Sequence, residues 1–314
     1  MSNYQQILYE TLQQTDIERR TFLDGDEAIF SESKLVASNT QNTRNWDDAD
    51  IVTTIKQKPE LVIFGAGHVA KALYDLATMQ SIPVIVVDER EEICSTERFP
   101  LAKRFTGQSY KRLLEMEFTS KRPYYIIMTH GHSYDNQCLR YALNHRHSYI
   151  GMIGSKGKVR ATFDDLIRNG YTAESLAKVH SPIGLKIGAT TPEEIAISIM
   201  AEIIETFRSD KNLVCLDPEY LQKLSEHDGI IARIITKKGS APRSIGAEML
   251  ITKNETFGTI GGGAVELKAI EEARKKMDGN TFKSEVKEYN LSAKGDLMMI
   301  CGGDVKILFL RNCI

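Results

Sequence analysis

The spacing of hydrophobic residues changes character along this chain of 314 residues. Residues 1–57 begin at helical spacing, continue with short extended runs around a turn signal at residues 24–26, and end in a polar stretch. From residue 58 to residue 209, short apolar runs alternate with segments of helical spacing. Residues 209–218 have the composition of a linker. Beyond them short extended runs dominate, with one long predicted helix at residues 265–277.

Four apolar runs in the middle segment predict buried strands, at residues 61–64, 84–87, 124–128 and 149–153. Segments of helical spacing follow the first, third and fourth runs. A further helix is predicted to begin at Pro192, with Thr191 as its N-cap and Glu194 completing a capping box. Strands that alternate with helices in this way indicate a parallel sheet covered on both faces.

The pattern therefore predicts an α/β protein in three segments. Residues 1–57 form a lead-in of helix, hairpin and linker, residues 58–209 a Rossmann-type parallel-sheet domain, and residues 219–314 a smaller α+β domain. The pattern leaves open whether the lead-in packs with the last domain or adds a strand to it.

A dinucleotide fingerprint supports the Rossmann prediction. Gly65-Ala66-Gly67-His68-Val69-Ala70 follows the first predicted strand and fits G-x-G-x-x-G/A, in which backbone and a helix N-terminus receive a pyrophosphate. Asp88 ends the second strand, where an acidic residue meets ribose hydroxyls. Gly65, Gly67, His68 and Asp88 are therefore candidate cofactor-binding residues for NAD(P) or another dinucleotide. Asp88 favours NAD over NADP, but the nearby Arg90 weakens that preference. The alternative for the glycines is that they serve only helix–sheet packing.

A histidine-containing loop follows the third predicted strand. His130 and His132 are two residues apart and Asp135 begins the next helix, so the three side chains are candidates for a metal site or an acid–base cluster. The alternative is a polar loop that lines the nucleotide cleft, with Asp135 as a helix cap. Either way the loop belongs at the carboxyl end of a strand, which faces the ligand in such sheets.

A second anion-binding turn is predicted after the fourth strand. Gly154, Ser155 and Lys156 close that strand and open a helix, so they offer N–H, hydroxyl and ammonium groups to an anion. The glycine spacing does not fit a Walker A loop, which argues against ATP or GTP hydrolysis.

Three glycine-rich turns, at residues 239–243, 261–263 and 301–303, mark the C-terminal segment. Together they predict a backbone-lined ligand cleft, in which Arg243 supplies a bidentate phosphate contact and Glu266 and Cys301 are catalytic candidates. Singly, each is explained as a tight turn. The candidate cofactor-binding residues of these turns are Ser240, Arg243, Gly261, Gly262, Gly263, Cys301 and Gly302.

Cys301 differs from the other cysteines because glycines follow it and leave its thiol approachable. A thiolate there is suited to holding a soft metal or carrying sulfur. The alternative is the usual role of a free cysteine, a small buried apolar residue.

Composition excludes several classes of function. The formal net charge is −2 and no long basic run occurs, so we expect no nucleic-acid partner. No apolar run approaches the roughly 18 residues of a membrane span. The five cysteines form no C-x-x-C pair and no signal peptide precedes them, which favours a cytoplasmic location with free thiols.

Taken together, the motifs of this chain resemble those of the XdhC/CoxI family of xanthine dehydrogenase accessory factors, over about residues 61–309. The most specific stretch is residues 181–189, running into residues 191–196. The other motifs that carry the resemblance are Gly65-Ala66-Gly67-His68, Thr129-His130-Gly131-His132, Ile150-Gly151-Met152-Ile153-Gly154-Ser155-Lys156, Gly239-Ser240-Ala241-Pro242-Arg243, Gly258-Thr259-Ile260-Gly261-Gly262-Gly263-Ala264-Val265-Glu266 and Cys301-Gly302-Gly303.

The resemblance implies a cofactor-binding chaperone rather than a turnover enzyme. Such proteins bind molybdopterin (the molybdenum cofactor), allow its sulfuration by a cysteine desulfurase, and pass it to an apo-molybdenum hydroxylase such as xanthine dehydrogenase. A homodimer is left open. Family members often place the glycine/cysteine domain first, so the order of the two domains is reversed here.

Two other functions fit the same residues. The first is an NAD(P)-dependent oxidoreductase, supported by the fingerprint and by the His130/His132 loop, although no hydride-transfer acid–base pair is identifiable. The second is a nucleotide-sensing regulatory module that turns nothing over.

Overall fold

The chain divides into two units in a computed structural model. One unit comprises residues 58–209, and the other combines residues 1–57 with residues 210–314. The structure describes residues 4–118, 123–209, 213–239, 244–277, 282–290 and 303–313.

Strands and helices alternate in the middle of the chain, and strands dominate both ends. The strands are β1 Ile17–Thr21, β2 Glu27–Ser31, β3 Lys34–Ser38, β4 Ile51–Ile55, β5 Glu60–Phe64, β6 Val84–Val87, β7 Lys103–Phe105, β8 Pro123–Ile127, β9 Tyr149–Met152, β10 Leu213–Val214, β11 Gly229–Gly239, β12 Glu248–Ile251, β13 Thr256–Gly258, β14 Ser284–Asn290 and β15 Gly303–Asn312. The helices are α1 Tyr4–Leu12, α2 His68–Met79, α3 Tyr110–Leu113, α4 His132–Asn144, α5 Lys156–Arg168, α6 Ala173–Ala177, α7 Pro192–Phe207, α8 Pro218–Glu226 and α9 Gly263–Met277.

The unit of residues 58–209 is a doubly wound sheet, which confirms the Rossmann-type α/β prediction. Five parallel strands run in the order β7-β6-β5-β8-β9. The chain moves outward from β5 through β6 to β7, then returns to place β8 on the other side of β5. This reversal makes the carboxyl end between β5 and β8 the switch point, where such sheets bind ligands.

Helices cover both faces of this sheet, which explains why the strands read as apolar runs rather than as alternating patterns. Residues of α2 and α7 share a core with one face of the sheet, and residues of α4 and α5 share a core with the other. The start of α7 is as predicted. The Glu194 N–H donates to Thr191 Oγ1 over 3.3 Å, and the Thr191 N–H donates to the Glu194 carboxylate over 3.0 Å.

The other unit contains two five-stranded sheets. The first runs β10-β4-β1-β2-β3 and the second runs β13-β12-β11-β15-β14. The lead-in supplies β1 to β4, and the short strand β10 comes from the stretch predicted to be a linker and pairs parallel to β4. Helices α1 and α8 pack together and share a core with both sheets, whereas α9 covers the second sheet alone. The lead-in therefore packs with the C-terminal segment, a point the sequence left open.

A buried ion network joins the two sheets of this unit. Arg19 and Glu27 lie on β1 and β2, Arg233 and Glu248 lie on β11 and β12, and all four side chains are at most 4% exposed. Arg19 Nη2 donates to Glu248 Oε2 over 3.0 Å, and Arg233 Nε donates to the same oxygen over 2.5 Å. Arg233 Nη1 also donates to Glu27. Burial works against ionisation of both carboxyls, but the two guanidinium groups outweigh it and lower their pKa values.

No helix among residues 4–313, leaving out the gaps given above, is long and apolar enough to cross a membrane.

We expect Glu248→Gln to destabilise this unit strongly. The substitution keeps the side-chain volume but leaves two buried guanidinium groups facing one carboxylate, which costs about 3–5 kcal/mol when a buried pair is broken. Urea unfolding monitored by circular dichroism measures the change. Glu226→Gln, at an exposed ion pair with Lys223, is the control and should leave the midpoint nearly unchanged. Equal midpoints for the two variants would contradict this role of the network.

Candidate functional site

The carboxyl edge of the parallel sheet brings four predicted segments together. Residues 65–68 follow β5, residues 88–90 follow β6, residues 128–132 follow β8 and residues 153–158 follow β9. Because the strands are parallel neighbours, all four turns lie along one edge of the sheet. The sequence-predicted nucleotide-binding residues of this unit therefore lie along the same edge of the sheet.

The turn after β5 requires glycine at its first position. Gly65 has φ +114°, and its N–H donates to the Val87 carbonyl over 2.8 Å. A Cβ built on Gly65 would lie 2.3 Å from the Met128 carbonyl oxygen. The first glycine of the fingerprint therefore serves the close approach of this turn to the end of β8 rather than direct contact with a ligand.

The second glycine of the fingerprint is open. Gly67 is the N-cap of α2 and has no side chain to accept the first N–H groups of the helix. A Cβ built on Gly67 would meet no described atom within 4 Å, and His68, the first helical residue, is exposed. Free N–H groups at a helix start, with space in front of them, suit a phosphate.

Asp88 is committed to holding this turn. Its side chain is fully buried; Oδ2 accepts the Ala66 N–H over 2.8 Å and Arg90 Nη2 over 2.8 Å. Oδ1 accepts the Arg90 N–H and Nε over 3.0 and 2.9 Å. Burial opposes ionisation, but these hydrogen bonds outweigh it and lower the pKa of Asp88. In this arrangement the carboxylate shapes the glycine turn, and both oxygens are occupied where the sequence predicts contacts to ribose.

Asp135 has the same kind of role at the turn after β8. Its buried Oδ1 accepts the Thr129 N–H over 3.1 Å and the Thr129 hydroxyl over 2.6 Å, and Oδ2 forms an ion pair with Lys158. His130 Nε2 lies 3.6 Å from a Glu89 carboxylate oxygen. His132 is the first residue of α4, and its side chain lies outside the described part of the structure. Within the described part, no group of three or more His, Cys, Asp or Glu residues is placed to hold a metal ion.

The turn after β9 offers two lysines in different settings. Ser155 caps α5, because its hydroxyl accepts the Lys158 N–H over 3.3 Å, and Lys156 is exposed. The Lys158 side chain is only 17% exposed. Lys156 was a candidate predicted from the sequence and Lys158 was not, although the position of Lys158 one helical turn after Gly154 was a usable signal.

A polar cluster beside β9, the last strand of the sheet, was also not predicted from the sequence. Glu202, on a largely apolar helix, accepts the Tyr149 hydroxyl, lies 3.1 Å from His180 Nδ1 and accepts the Gly184 N–H over 3.1 Å. Burial opposes ionisation of Glu202, but the His180 and Tyr149 hydrogen bonds lower its pKa. The cluster anchors the loop of residues 181–189. This loop carries a family motif in the sequence, but hydrophobic periodicity does not predict its structure.

In the other unit the glycine turn is described in part. Gly261, Gly262 and Gly263 all have positive φ, and Gly263 begins α9. Glu266 Oε2 accepts the Ile260 N–H over 3.1 Å, the Gly262 N–H over 2.9 Å and the Thr259 hydroxyl over 2.6 Å. This catalytic candidate therefore holds its own turn. The remaining candidates of this domain, Ser240, Arg243, Cys301 and Gly302, lie outside the described residues.

We expect Gly65→Ala and Gly67→Ala to differ sharply in stability. Alanine at position 65 meets both a positive φ and the Met128 carbonyl, and the strained backbone alone costs about 1–3 kcal/mol. Alanine at position 67 meets no described atom and should leave the melting temperature nearly unchanged. Differential scanning fluorimetry checks this, and equal losses in the two variants would contradict the assigned roles.

We expect Asp88→Asn to destabilise the protein by about 1–3 kcal/mol at pH 7, because buried hydrogen bonds to a charge are lost. The pKa of Asp88 is lowered in the folded state, so its stabilisation is present above the ordinary value near 3.9 and is lost as pH falls through the lower folded value. Urea unfolding at pH 7 and pH 3 should therefore show a gap from wild type that narrows in acid. Asp75→Asn, at a surface pair, is the control, and a gap that does not change with pH would count against this account.

Comparison with known proteins agrees with this geometry. The family model for the XdhC Rossmann domain matches residues 61–203, and the model for the XdhC and CoxI family matches residues 224–290. A crystal structure described as a xanthine dehydrogenase from Bacillus halodurans superposes with a TM-score of 0.52 at 24% identity, covering 65% of this chain and 66% of that one, and shows the fold.

Two curated proteins are similar in sequence over about half of this chain. A protein of Bacillus subtilis (strain 168), named as a probable subunit of xanthine dehydrogenase, is 34% identical over 156 residues, which are 49% of this chain and 45% of that protein. The uncharacterised protein YqeB of Escherichia coli (strain K12) is 29% identical over 164 residues, 52% of this chain and 30% of that protein. The matches thus span less than half the length of either relative. With both family models matching in separate units, this chain belongs to the XdhC and CoxI family.

Proposed function

We propose that this chain is an accessory factor of a xanthine dehydrogenase-type molybdenum hydroxylase. In this role it binds the molybdenum cofactor, assists its sulfuration and delivers it to the apo-enzyme. Membership of the XdhC and CoxI family supports the accessory role, as does the similarity to a protein named as a probable component of xanthine dehydrogenase.

The observation that carries the proposal is the open turn at Gly67. The start of α2 has no side-chain cap, a Cβ at Gly67 would meet no described atom within 4 Å, and Asp88 accepts the N–H of the preceding Ala66. A phosphate fits such a turn, and molybdopterin carries a terminal phosphate. The residues that would hold it are the backbone of Gly67 and His68, with a dinucleotide form of the cofactor as the ligand best matched to a Rossmann crevice.

The buried acids of the described crevice support binding rather than turnover. Asp88 and Asp135 each accept backbone N–H groups and pair with a cation, so neither is placed as a free general base. The molybdenum group supplies its oxidation chemistry in the hydroxylase. This chain's residues would bind and orient the cofactor, with a cysteine desulfurase, the hydroxylase and a second copy of the chain as the proposed partners.

An NAD(P)-dependent oxidoreductase is the second candidate, because the same Gly65–Gly67 turn fits a pyrophosphate. It predicts a change in NAD(P)H absorbance with a carbonyl substrate. Nucleotide binding without any such change would favour a nucleotide-sensing module instead.

We expect deletion of this gene to abolish most activity of the partner hydroxylase, with the enzyme accumulating in a form lacking the sulfurated cofactor. The measurements are hydroxylase activity, cyanide-releasable sulfur on the hydroxylase, and pterin retained on this purified protein. A fully active, fully sulfurated hydroxylase in the deletion strain would reject the accessory role.

A pair of variants tests the phosphate turn within that experiment. Gly67→Asp places a negative charge where the phosphate would lie and should lower retained pterin at least about tenfold. Met79→Asp adds the same charge at the exposed far end of the same helix and should retain wild-type pterin. Equal retention by both variants would place the ligand elsewhere.

A further inference from the structure

Lys158 is a partly buried cation at the carboxyl edge of the Rossmann sheet. Its ammonium pairs with Asp135 Oδ2, and that carboxylate is fully buried. A Cβ at Gly154 would lie 3.1 Å from Lys158 Cδ, so the lysine stem lies across the turn after β9. The absence of a side chain at position 154 therefore lets this lysine reach from α5 to the first turn of α4.

The pairing with Asp135 leaves part of the lysine unused. An ammonium group carries three N–H donors, and among the described residues Asp135 Oδ2 is the carboxylate oxygen that forms an ion pair with it. The other oxygen of Asp135 is taken by the Thr129 N–H and hydroxyl, so the carboxylate is fixed to the turn after β8. Asp135 thus holds the ammonium beside the turn after β8, and 17% of the lysine side chain stays exposed.

The position of β9 sets the distance to the phosphate turn. In the order β5-β8-β9, the strand that precedes Lys158 lies two places from the strand that precedes Gly65. With strands about 4.8 Å apart, the two turns are separated by about 10 Å along the edge. A mononucleotide held by its phosphate at Gly67, on the β5–β6 side, would not need a contact with Lys158. A ligand made of two nucleotide-like halves would extend toward β9 and need one.

We propose that Lys158 is a ligand-binding residue for the far half of a dinucleotide-sized ligand, and that Asp135 is its positioning residue. The inference rests on the proposed function, because it assumes a phosphorylated ligand in the Rossmann crevice. It adds the residue that distinguishes a ligand of two nucleoside-like halves, joined by a pyrophosphate, from a mononucleotide.

The experiment compares two probes on the full-length protein. NADH, measured by fluorescence titration, spans both halves of the crevice, and ADP, measured by calorimetry, spans only the half next to β5 and β6. Lys158→Met should weaken NADH binding by about tenfold or more, the effect of losing a charge-assisted hydrogen bond, and leave ADP binding unchanged. Arg160→Met removes one charge from the exposed side of the same helix and should change neither affinity.

A double variant separates binding from structure. Lys158→Met leaves Asp135 buried without its partner and will lower stability, whereas Asp135→Asn combined with Lys158→Met removes both charges, an exchange that is often neutral for a buried pair. We expect the double variant to regain stability in urea unfolding but not affinity for NADH.

Each other result has a definite meaning. Recovery of NADH binding in the double variant, an equal loss of ADP binding in Lys158→Met, or unchanged NADH binding would overturn the role of Lys158. An equal loss of NADH affinity in Lys156→Met would reject it as well. Wild-type protein that binds neither probe would contradict a nucleotide crevice itself and so tell against both proposals, whereas an active hydroxylase in the deletion strain would reject only the accessory role.

Discussion

A carboxylate that accepts the backbone N–H of a nearby turn is the interaction on which the candidate site depends. Asp88 and Asp135 do this at the carboxyl end of the Rossmann sheet, Glu202 does it for the loop of residues 181–189, and Glu266 does it in the other unit. A turn between a strand and a helix leaves N–H groups without partners, and a buried acid satisfies them at the expense of its own availability. These acids therefore hold the turns in shape, and the proposed ligand contacts fall to the glycine backbone, the N–H groups at the start of α2 and Lys158.

The binding of these acids to backbone N–H groups bears on what the protein does. Catalysis by acid and base requires a carboxylate or imidazole with a proton to exchange at the reacting atom. In the described part of the Rossmann unit, Asp88 and Asp135 each accept a backbone N–H and pair with Arg90 or Lys158, while Glu202 pairs with Tyr149 and His180. The pKa of Asp88 is lowered so that it stays ionised. Such a crevice is suited to holding an anionic ligand in one orientation, as an accessory factor would need.

The second unit depends on a different constraint. Strands β1 to β4 of its first sheet lie more than 150 residues before the second sheet in sequence, and Arg19, Glu27, Arg233 and Glu248 join the two sheets in a network shielded from water. Buried ions are costly unless each finds its partner, so the network strongly favours one packing of the lead-in against the C-terminal strands. The lead-in is thus part of this domain's core, and the Rossmann domain is inserted between the two pieces in sequence.

The sequence by itself determined the Rossmann half. Its strands are apolar because both faces are covered, its helices have caps such as Thr191, and its glycine spacing follows from backbone sterics, all of which are local properties. It also located the family motifs. Only the tertiary structure decided what long-range pairing controls. The polar strand β14 and the two-residue strand β10 carry no periodic signal and exist because a neighbouring strand binds them. The partners of Asp88 and Lys158 were likewise decided by contacts across the sheet edge, because a spacing pattern places a residue near that edge but does not show which neighbouring group pairs with it.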